Sequence, residues 1–443
     1  MRAWERDNSS KQALLSHLTP LIMRPHILLS NSLLIAAVLT TARAADKPTA
    51  VSISELVAKT LAANPEIRFY EAEIAAAKAG RATAGRLSNP ELKLDLGQKR
   101  VRGDDARSEG LAYSVALAQP IEWPGRLGLR KAIANRDIAL AELGLERFRA
   151  FLASRVKTLG YALAAQQENA AAAAEVADRF TSVREVVVQR EPGGIAPVLE
   201  ARIIEATEVV VQRRAGEAAV EMQKALLEIN QLMGRRADTP FEVKRTEFPK
   251  PEASTLAALL NTAAEHNYDL RVRRSELEQQ GLKVALARNE RYPTFTVGPM
   301  ISQERARDKE TTIGLSVSVP LPLWNNGQAA VNTAEARRMQ AEASLQSAFR
   351  EVERKITEAW LILQTQQKRL DGWKADALKI FAEAAQLADR HYRLGAVPLA
   401  TYIEMQDKYL QATEAINSTR LEALRAALDL EQLIGAPAVK SKN

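Results

Sequence analysis

Two periodicities alternate along this chain. Between Thr311 and Val319, apolar and small polar residues take turns. Ile313, Leu315, Val317 and Val319 fall on one side, and Thr312, Gly314, Ser316 and Ser318 on the other. A period of two predicts a strand with one apolar and one small polar face. Beyond Pro320–Trp324 and Asn325-Asn326-Gly327 the period changes. From Leu345, steps of four and three residues meet Phe349, Val352, Ile356, Ala359, Leu363, Leu370, Trp373, Ala377, Ile380, Ala384 and Leu387, with Gln366 and His391 as the polar exceptions. A 3.5-residue period sustained this far predicts an unbroken helix over about 328–392, supercoiled with its neighbours. At 1.5 Å per residue it is roughly 100 Å long.

The same passage occurs about 200 residues earlier. "AQPIEWPGR", ending at Arg126, corresponds to "SVPLPLWNNGQ", ending at Gln328. Asn64-Pro65 corresponds to Asn267-Tyr268, Asn89-Pro90-Glu91-Leu92 to Tyr292-Pro293-Thr294-Phe295, "GGIAPVLEA" to "LGAVPLATY", and "LLEINQLMG" to "ALDLEQLIG". The order is kept and the offset stays between 200 and 203, which marks a duplicated unit. The first unit, 45–237, predicts a helix over 52–88, strands at 91–97 and 111–119, a long helix over 126–190 and a return helix over 198–233. The second, 255–435, predicts a helix over 255–290, strands at 294–302 and 311–319, and helices over 328–392 and 399–434. Residues 238–254 read as a linker and 436–443 as a C-terminal tail. The first long helix carries a looser stripe, from Leu145 and Phe148 to Val183 and Val187, interrupted by Arg155, Gln166 and Asn169.

The strands suit a bilayer in length and alternation. A half-buried hairpin on a soluble sheet alternates in the same way. The joining segments "QKRVRGDDARSE" and "QERARDKE" are charged and extended, as outer loops are, and Trp123 and Trp324 fall where an interfacial aromatic belt belongs. The expected lipid-facing set includes Leu94, Tyr113, Val115, Leu315 and Val317. Pro299, inside "TFTVGPMIS", predicts a bulge or an early strand end. Four strands cannot close a barrel, and eight leave a filled interior, so a channel needs several chains. The fold class expected is mainly α with a membrane β-barrel.

Composition narrows the chemistry. The 443 residues include no cysteine and four histidines. Disulfides, thiolate metal sites and a lipidated cysteine are excluded. The net charge of +7 and pI near 9.4 come from 61 Lys/Arg interleaved with 54 Asp/Glu, as on solvated helix faces. There is no Walker A, H-E-x-x-H or G-x-S-x-G motif. No catalytic residue, cofactor or bound metal is expected, and "EPGGIAP" reads as a turn between helices. At the N-terminus, Arg24 precedes the apolar run Ile27–Leu39 and then Ala42-Arg43-Ala44, an export signal over 1–44, with Met23 an alternative start. That leader carries +3 of the +7, leaving +4 on the mature chain.

At "QPIEWPGR", "VPLPLWNNGQ" and "YRLGAVPLATYIEMQDKYLQA" the chain resembles the TolC-like outer membrane factors of Gram-negative tripartite efflux systems. The resemblance covers about 52–435 and leans to the branch serving heavy-metal exporters of the cobalt–zinc–cadmium type. It implies a homotrimer in the outer membrane, with a twelve-stranded barrel continued by a twelve-helix periplasmic tunnel. The implied partners are a periplasmic adaptor (membrane fusion) protein and an inner-membrane pump of the resistance-nodulation-division type, with outer-membrane lipid around the barrel and no nucleic acid. Docking to the adaptor is expected at the helical tips Gly194, Ile195, Ala196 and Pro197, and Arg393, Leu394, Gly395, Ala396, Val397 and Pro398; a purely structural turn is the rival reading. The implied periplasmic gate falls at Glu200, Thr401 and Glu404. The family's paired acidic pattern is half kept in each unit, since Thr401 stands opposite Glu200 and Ile203 opposite Glu404. Solvated helix-surface residues remain the alternative.

The function expected is a passive exit duct. A periplasmic coiled-coil adaptor or scaffold without a barrel is the alternative, opposed by the two strand pairs. A nucleic-acid-binding coiled coil is opposed by the export signal. Cleavage is expected after Ala44, and N-terminal sequencing of the exported protein checks it; a mature protein retaining Ile27–Leu39 contradicts the signal.

Overall fold

A computed structural model describes residues 50–102, 107–188, 195–244, 248–249, 254–306, 308–374 and 376–435. The expected signal, the tip residue Gly194 and the C-terminal tail lie outside these residues. The elements, in order, are β1 (Ala50–Val51), α1 (Ile53–Ala63), α2 (Glu66–Ala84), β2 (Glu91–Arg102), β3 (Arg107–Ile121), α3 (Arg126–Val188), α4 (Ile195–Leu232), β4 (Glu242–Val243), α5 (Leu256–His266), α6 (Tyr268–Glu290), β5 (Phe295–Arg305), β6 (Lys309–Ser318), α7 (Gln328–Gly372), α8 (Ala377–Arg393) and α9 (Leu399–Ile434).

The single helices expected over 52–88 and 255–290 are each two helices. Both start on a hydroxyl cap, with Ser52 Oγ accepting from Glu55 N and Thr255 Oγ1 from Ala258 N. Both break at a buried asparagine. Asn64 Oδ1 accepts from Glu66 N at 2.8 Å while its Nδ2 donates to Leu232 O at 2.9 Å. Asn267 Oδ1 accepts from Leu270 N at 2.9 Å while its Nδ2 donates to Leu433 O at 2.5 Å. One side chain thus starts a helix and binds an orphan carbonyl at the end of the return helix, in each unit.

The cores repeat as well. Leu152, Val156, Leu159 and Leu163 of α3 pack with Leu56, Ile67 and Ile229; Val352, Ile356, Ala359 and Leu363 of α7 pack with Leu259, Leu270 and Leu430. A third cluster joins the units: Val176, Phe180 and Val183 of α3, Ile204 and Val211 of α4, Ala388 of α8, and Leu399, Tyr402 and Leu410 of α9. In α3 the helix over 126–188 is continuous. In the second unit the helix expected over 328–392 is interrupted. It stops at Gly372, Trp373 is extended (φ −97°, ψ 146°), and α8 starts at Ala377. Glycine costs about 1 kcal/mol against alanine inside a helix, and the first unit has Ala170–Ala174 at the corresponding place. Part of the expected linker is ordered too: β4 pairs in parallel with β1, Val51 with Val243.

The other four strands form one antiparallel sheet in the order β2-β3-β5-β6. Pro299 produces neither a bulge nor an early end. β5 continues to Arg305, and Pro299 pairs with Leu315 of β6. Towards β3 the paired residues skip Pro299 and Gly298 opposite Leu117 and Ala118, while the register is unchanged on either side. The proline has no N–H to give there, and Gly298 lets the strands close together: a Cβ on it would lie 1.5 Å from Leu117 O. Gly298→Ala should therefore cost at least about 3 kcal/mol by disrupting the β3–β5 seam. Gly314→Ala on the same face, where the nearest atom is 4.0 Å away, should be nearly neutral. Urea unfolding of the two variants separates these outcomes.

Candidate channel wall and helical tips

The pairing register gathers the large apolar positions of the sheet on one face, with Met300 and Val101 the exceptions. Leu94 opposes Val115, Val115 opposes Ile301, and Ile301 opposes Ile313; Leu96 opposes Tyr113, and Val297 opposes Val317. Leu94, Tyr113, Val115, Leu315 and Val317 thus share a face, and that face is bare: Leu96 is 82% exposed and Ile313 78%. The opposite face carries Asp95, Ala112, Ser114, Ala116, Gly298, Ser302, Thr312, Gly314 and Ser316. Ser114 Oγ donates to Asp95 Oδ2 there at 2.6 Å. Along β3 the apolar face runs from Leu111 to Ile121, about 33 Å of strand, or roughly 23 Å of height at a 45° tilt. Gln119 interrupts it, but its amide donates to Ser88 O at 2.9 Å and Pro120 O at 3.0 Å.

At the inner end the strands meet the helices through aromatic rings and one arginine. Trp123 stacks on Tyr292, with centroids 4.7 Å apart and planes 10° from parallel. Trp324, its counterpart, is 95% exposed. Arg126, at the start of α3, is buried. Its guanidinium donates to Asn289 Oδ1, Thr294 Oγ1, Asn289 O and Tyr292 O at 2.7–3.1 Å. The first unit is thereby fastened to the α6–β5 turn of the second by a cation satisfied wholly by neutral acceptors. The motif "EWPGR" was visible in the sequence; what it would grip was not.

The second tip is a tight reversal. Gly395 has φ +72°, its N–H donates to Tyr392 O at 2.9 Å, and Ala396 N donates to His391 O at 2.8 Å, a Schellman-type end to α8. Leu394 projects, 78% exposed. Pro398 caps α9, and Leu399 turns back into the core. Of the first tip, the backbone of Ile195–Pro197 opens α4. Glu200, Thr401 and Glu404 all lie on exposed helix surface, and Glu200 and Glu404 make no hydrogen bond or ion pair among the described residues. Thr401 and Glu404 lie one turn apart on α9, and Glu200 lies on α4.

Behind the tips lies a polar network that the periodicity did not disclose. Buried Glu208 of α4 accepts from Thr181 Oγ1 at 2.9 Å and Gln212 Nε2 at 3.0 Å, and forms an ion pair with Arg184 at 3.3 Å. Arg214 of α4 pairs with Asp407 of α9 at 2.7 Å. Arg179 of α3 donates to Gln406 Oε1 at 2.9 Å, and Gln406 Nε2 to Ala385 O at 2.8 Å. Tyr402 is wholly buried between Phe180 and Tyr392. Burial, and then the nearby Asp389 carboxylate, push its phenol above the ordinary range. Among the described residues no helix is long and apolar enough to cross a membrane, and no group of three or more His, Asp or Glu could hold a metal ion.

Comparison with known proteins places this geometry. Residues 259–436 match the family model described as outer membrane efflux protein, so the second unit carries that family's signature. A comparison with curated proteins gives no match. Among solved structures, the Neisseria gonorrhoeae MtrE outer membrane channel in its open state superposes with a TM-score of 0.68 at 15% identity, covering 88% of this chain and 90% of that one. The Campylobacter jejuni CmeC outer membrane channel gives 0.67 at 16%, covering 88% and 87%. CusC, crystallised to follow folding and transmembrane channel formation, gives 0.67 at 14%, covering 88% and 93%. At these identities the likeness establishes the fold. The family and the matched structures are channels rather than enzymes.

The two faces of the sheet should respond differently to charge. Leu315→Arg is expected to cost about 2–4 kcal/mol of folding stability in lipid bilayers, and Ser316→Arg much less. Urea titration of both variants in phospholipid vesicles measures the difference; equal losses contradict the assignment of faces.

Proposed function

We propose that this chain is one subunit of an outer-membrane efflux duct, closed by copies of itself and fed by an inner-membrane pump through a periplasmic adaptor. The observation that carries this reading is a sheet with one apolar and one small polar face whose two outer strands, β2 and β6, are each paired on one side only. In a bilayer, unpaired backbone groups at an edge cost several kcal/mol each, so the edges must meet.

The duplication supports one way for them to meet. Inside the chain, β3 of the first unit pairs with β5 of the second: Val115 with Ile301, Gln119 with Val297, Ile121 with Phe295. Carrying these pairs across the repeat puts Leu315 opposite Gln98, Val319 opposite Leu94 and Leu321 opposite Leu92 of a second copy. This accounts for an asymmetry. β3 extends to Ile121 because β5 holds its last residues, whereas β6 stops at Ser318. Val319 and Leu321 are left 48% and 71% exposed. The helices have matching flanks: α2 packs on α3, α3 on α6 and α6 on α7, leaving α2 and α7 outermost. Head-to-tail addition repeats the internal seam, and three chains supply twelve strands, enough for an open lumen.

In this assembly the small polar face lines the lumen and the apolar face meets lipid. The tips at Arg393–Pro398 and around Gly194 meet the adaptor, with exposed Leu394 as an apolar anchor. Glu200, Thr401 and Glu404 form the periplasmic constriction. Hydrophilic solutes are the cargo, with heavy-metal cations the class that the motif wording favours. The duct carries no energy-coupling group; the pump, of the resistance-nodulation-division type, provides the driving force.

Absence of native cysteine makes the seam directly testable. Val319→Cys with Leu94→Cys should form disulfides between chains, giving a ladder that ends at the trimer mass on non-reducing gels. Gln119→Cys with Val297→Cys should close within one chain. A monomeric protein in the outer membrane would sink the duct reading. An intact trimer with only the internal pair linked would show the seam to be misassigned.

A further inference from the structure

We infer that Lys99 sets the charge selectivity of the duct's outer mouth by occupying, as a tethered cation, the carboxylate pair Glu304–Glu310. This rests on the proposed duct and goes beyond it. Lys99 Nζ, on β2, lies 2.8 Å from Glu304 Oε2 on β5 and 2.6 Å from Glu310 Oε2 on β6. All three stand on the small polar face, since Glu304 opposes both Ala112 and Glu310, and Lys99 opposes Gly110.

The reach is informative. β2 and β6 are three inter-strand gaps apart, about 14 Å in a flat sheet. Extended lysine and glutamate side chains with one contact between them span about that distance, so the clasp bridges the sheet from one outer strand to the other across this face. Between them, β3 and β5 are so close at Gly110 that a Cβ on it would lie 1.3 Å from Arg305 O.

Stability alone does not explain the triad. The side chains are 25%, 42% and 66% exposed, and ion pairs this exposed contribute little to folding. In a pore, however, a ring of charges controls which ions pass. The repeat does not duplicate the triad: the counterparts of Lys99, Glu304 and Glu310 are Ser302, Val101 and Gly110. Each chain therefore adds one ammonium and two carboxylates to the mouth. Lys99 halves the negative charge that an exiting cation meets, and so limits its retention.

The test is reversal potential of the full-length trimer in planar bilayers under a KCl gradient. Lys99→Met should raise the cation-to-anion permeability ratio by roughly two-fold or more, and Glu304→Gln with Glu310→Gln should lower it. Lys99→Arg should resemble wild type. Lys99→Met with Glu310→Gln restores the net charge while leaving the clasp broken, and should also resemble wild type. Unchanged selectivity in an intact Lys99→Met channel overturns the inference. So does a charge-balanced double variant that behaves like Lys99→Met, or a Lys99→Met chain that fails to assemble while the double glutamine variant conducts as wild type; the latter makes the triad structural. Wild-type protein that forms no pore overturns the duct reading itself.

Discussion

The constraint on which the rest depends is the pairing of backbone groups at the edges of the sheet. In water an edge strand is a liability that charge or proline can blunt. In hydrocarbon it is untenable, because nothing else satisfies the N–H and C=O groups. β6 has no such blunting over Thr311–Ser318, and β2 presents Leu92, Leu94 and Leu96. In the proposed duct a chain built this way is incomplete alone. The internal duplication supplies the remedy, since one contact between units, made once inside the chain at β3–β5, can be made again at each outer edge.

The helices carry the same logic away from the sheet. A wall built from long helices needs each unit to hold its own layers in line, and Asn64 and Asn267 do this. Asn64 and Asn267 tie the start of α2 and of α6 to the last carbonyls of α4 and α9. Apolar packing fixes which faces meet, but it slides easily along a helix axis. A single amide bonded on both sides fixes the height. Arg126 plays the corresponding part between units, where four neutral acceptors hold α3 to the α6–β5 turn.

Much of this was legible in the sequence, for physical reasons that also mark its limits. Alternation reports which face of a strand is apolar, and the face found in the structure is the one the leucines and valines describe. Repetition at a constant offset reported the two units. A heptad stripe, however, reports burial rather than backbone continuity. Trp373, Ala377 and Ile380 keep the stripe across a break that Gly372 permits. Proline was overread in the opposite sense, because a missing N–H costs a strand only the bond it would have made, and Gly298 beside Pro299 lets the ladder resume in register. The ties made by Asn64, Arg126, Lys99 and Glu208 have no periodic signature, since each depends on a partner dozens to hundreds of residues away.

The departures from repeat symmetry fall where the two units have different neighbours. Arg126 has Gln328 as its counterpart, and Trp123, stacked on Tyr292, has the bare Trp324. The internal seam forms as the chain folds, so a buried cation there can be satisfied at once by turns already in place. In the proposed duct the outer edge would stand in solvent until another copy arrived, and a guanidinium waiting to be buried would have to give up its water at that moment. A neutral amide and an indole lose far less hydration on burial. The same reasoning applies to the long helices. α3 lies in the middle of the chain, against α2, α4, α6 and α9, and its continuity is supported on several sides. The α7–α8 stretch lies towards the outer flank, and there the backbone breaks. Duplication made two halves alike; their positions within the chain made them differ.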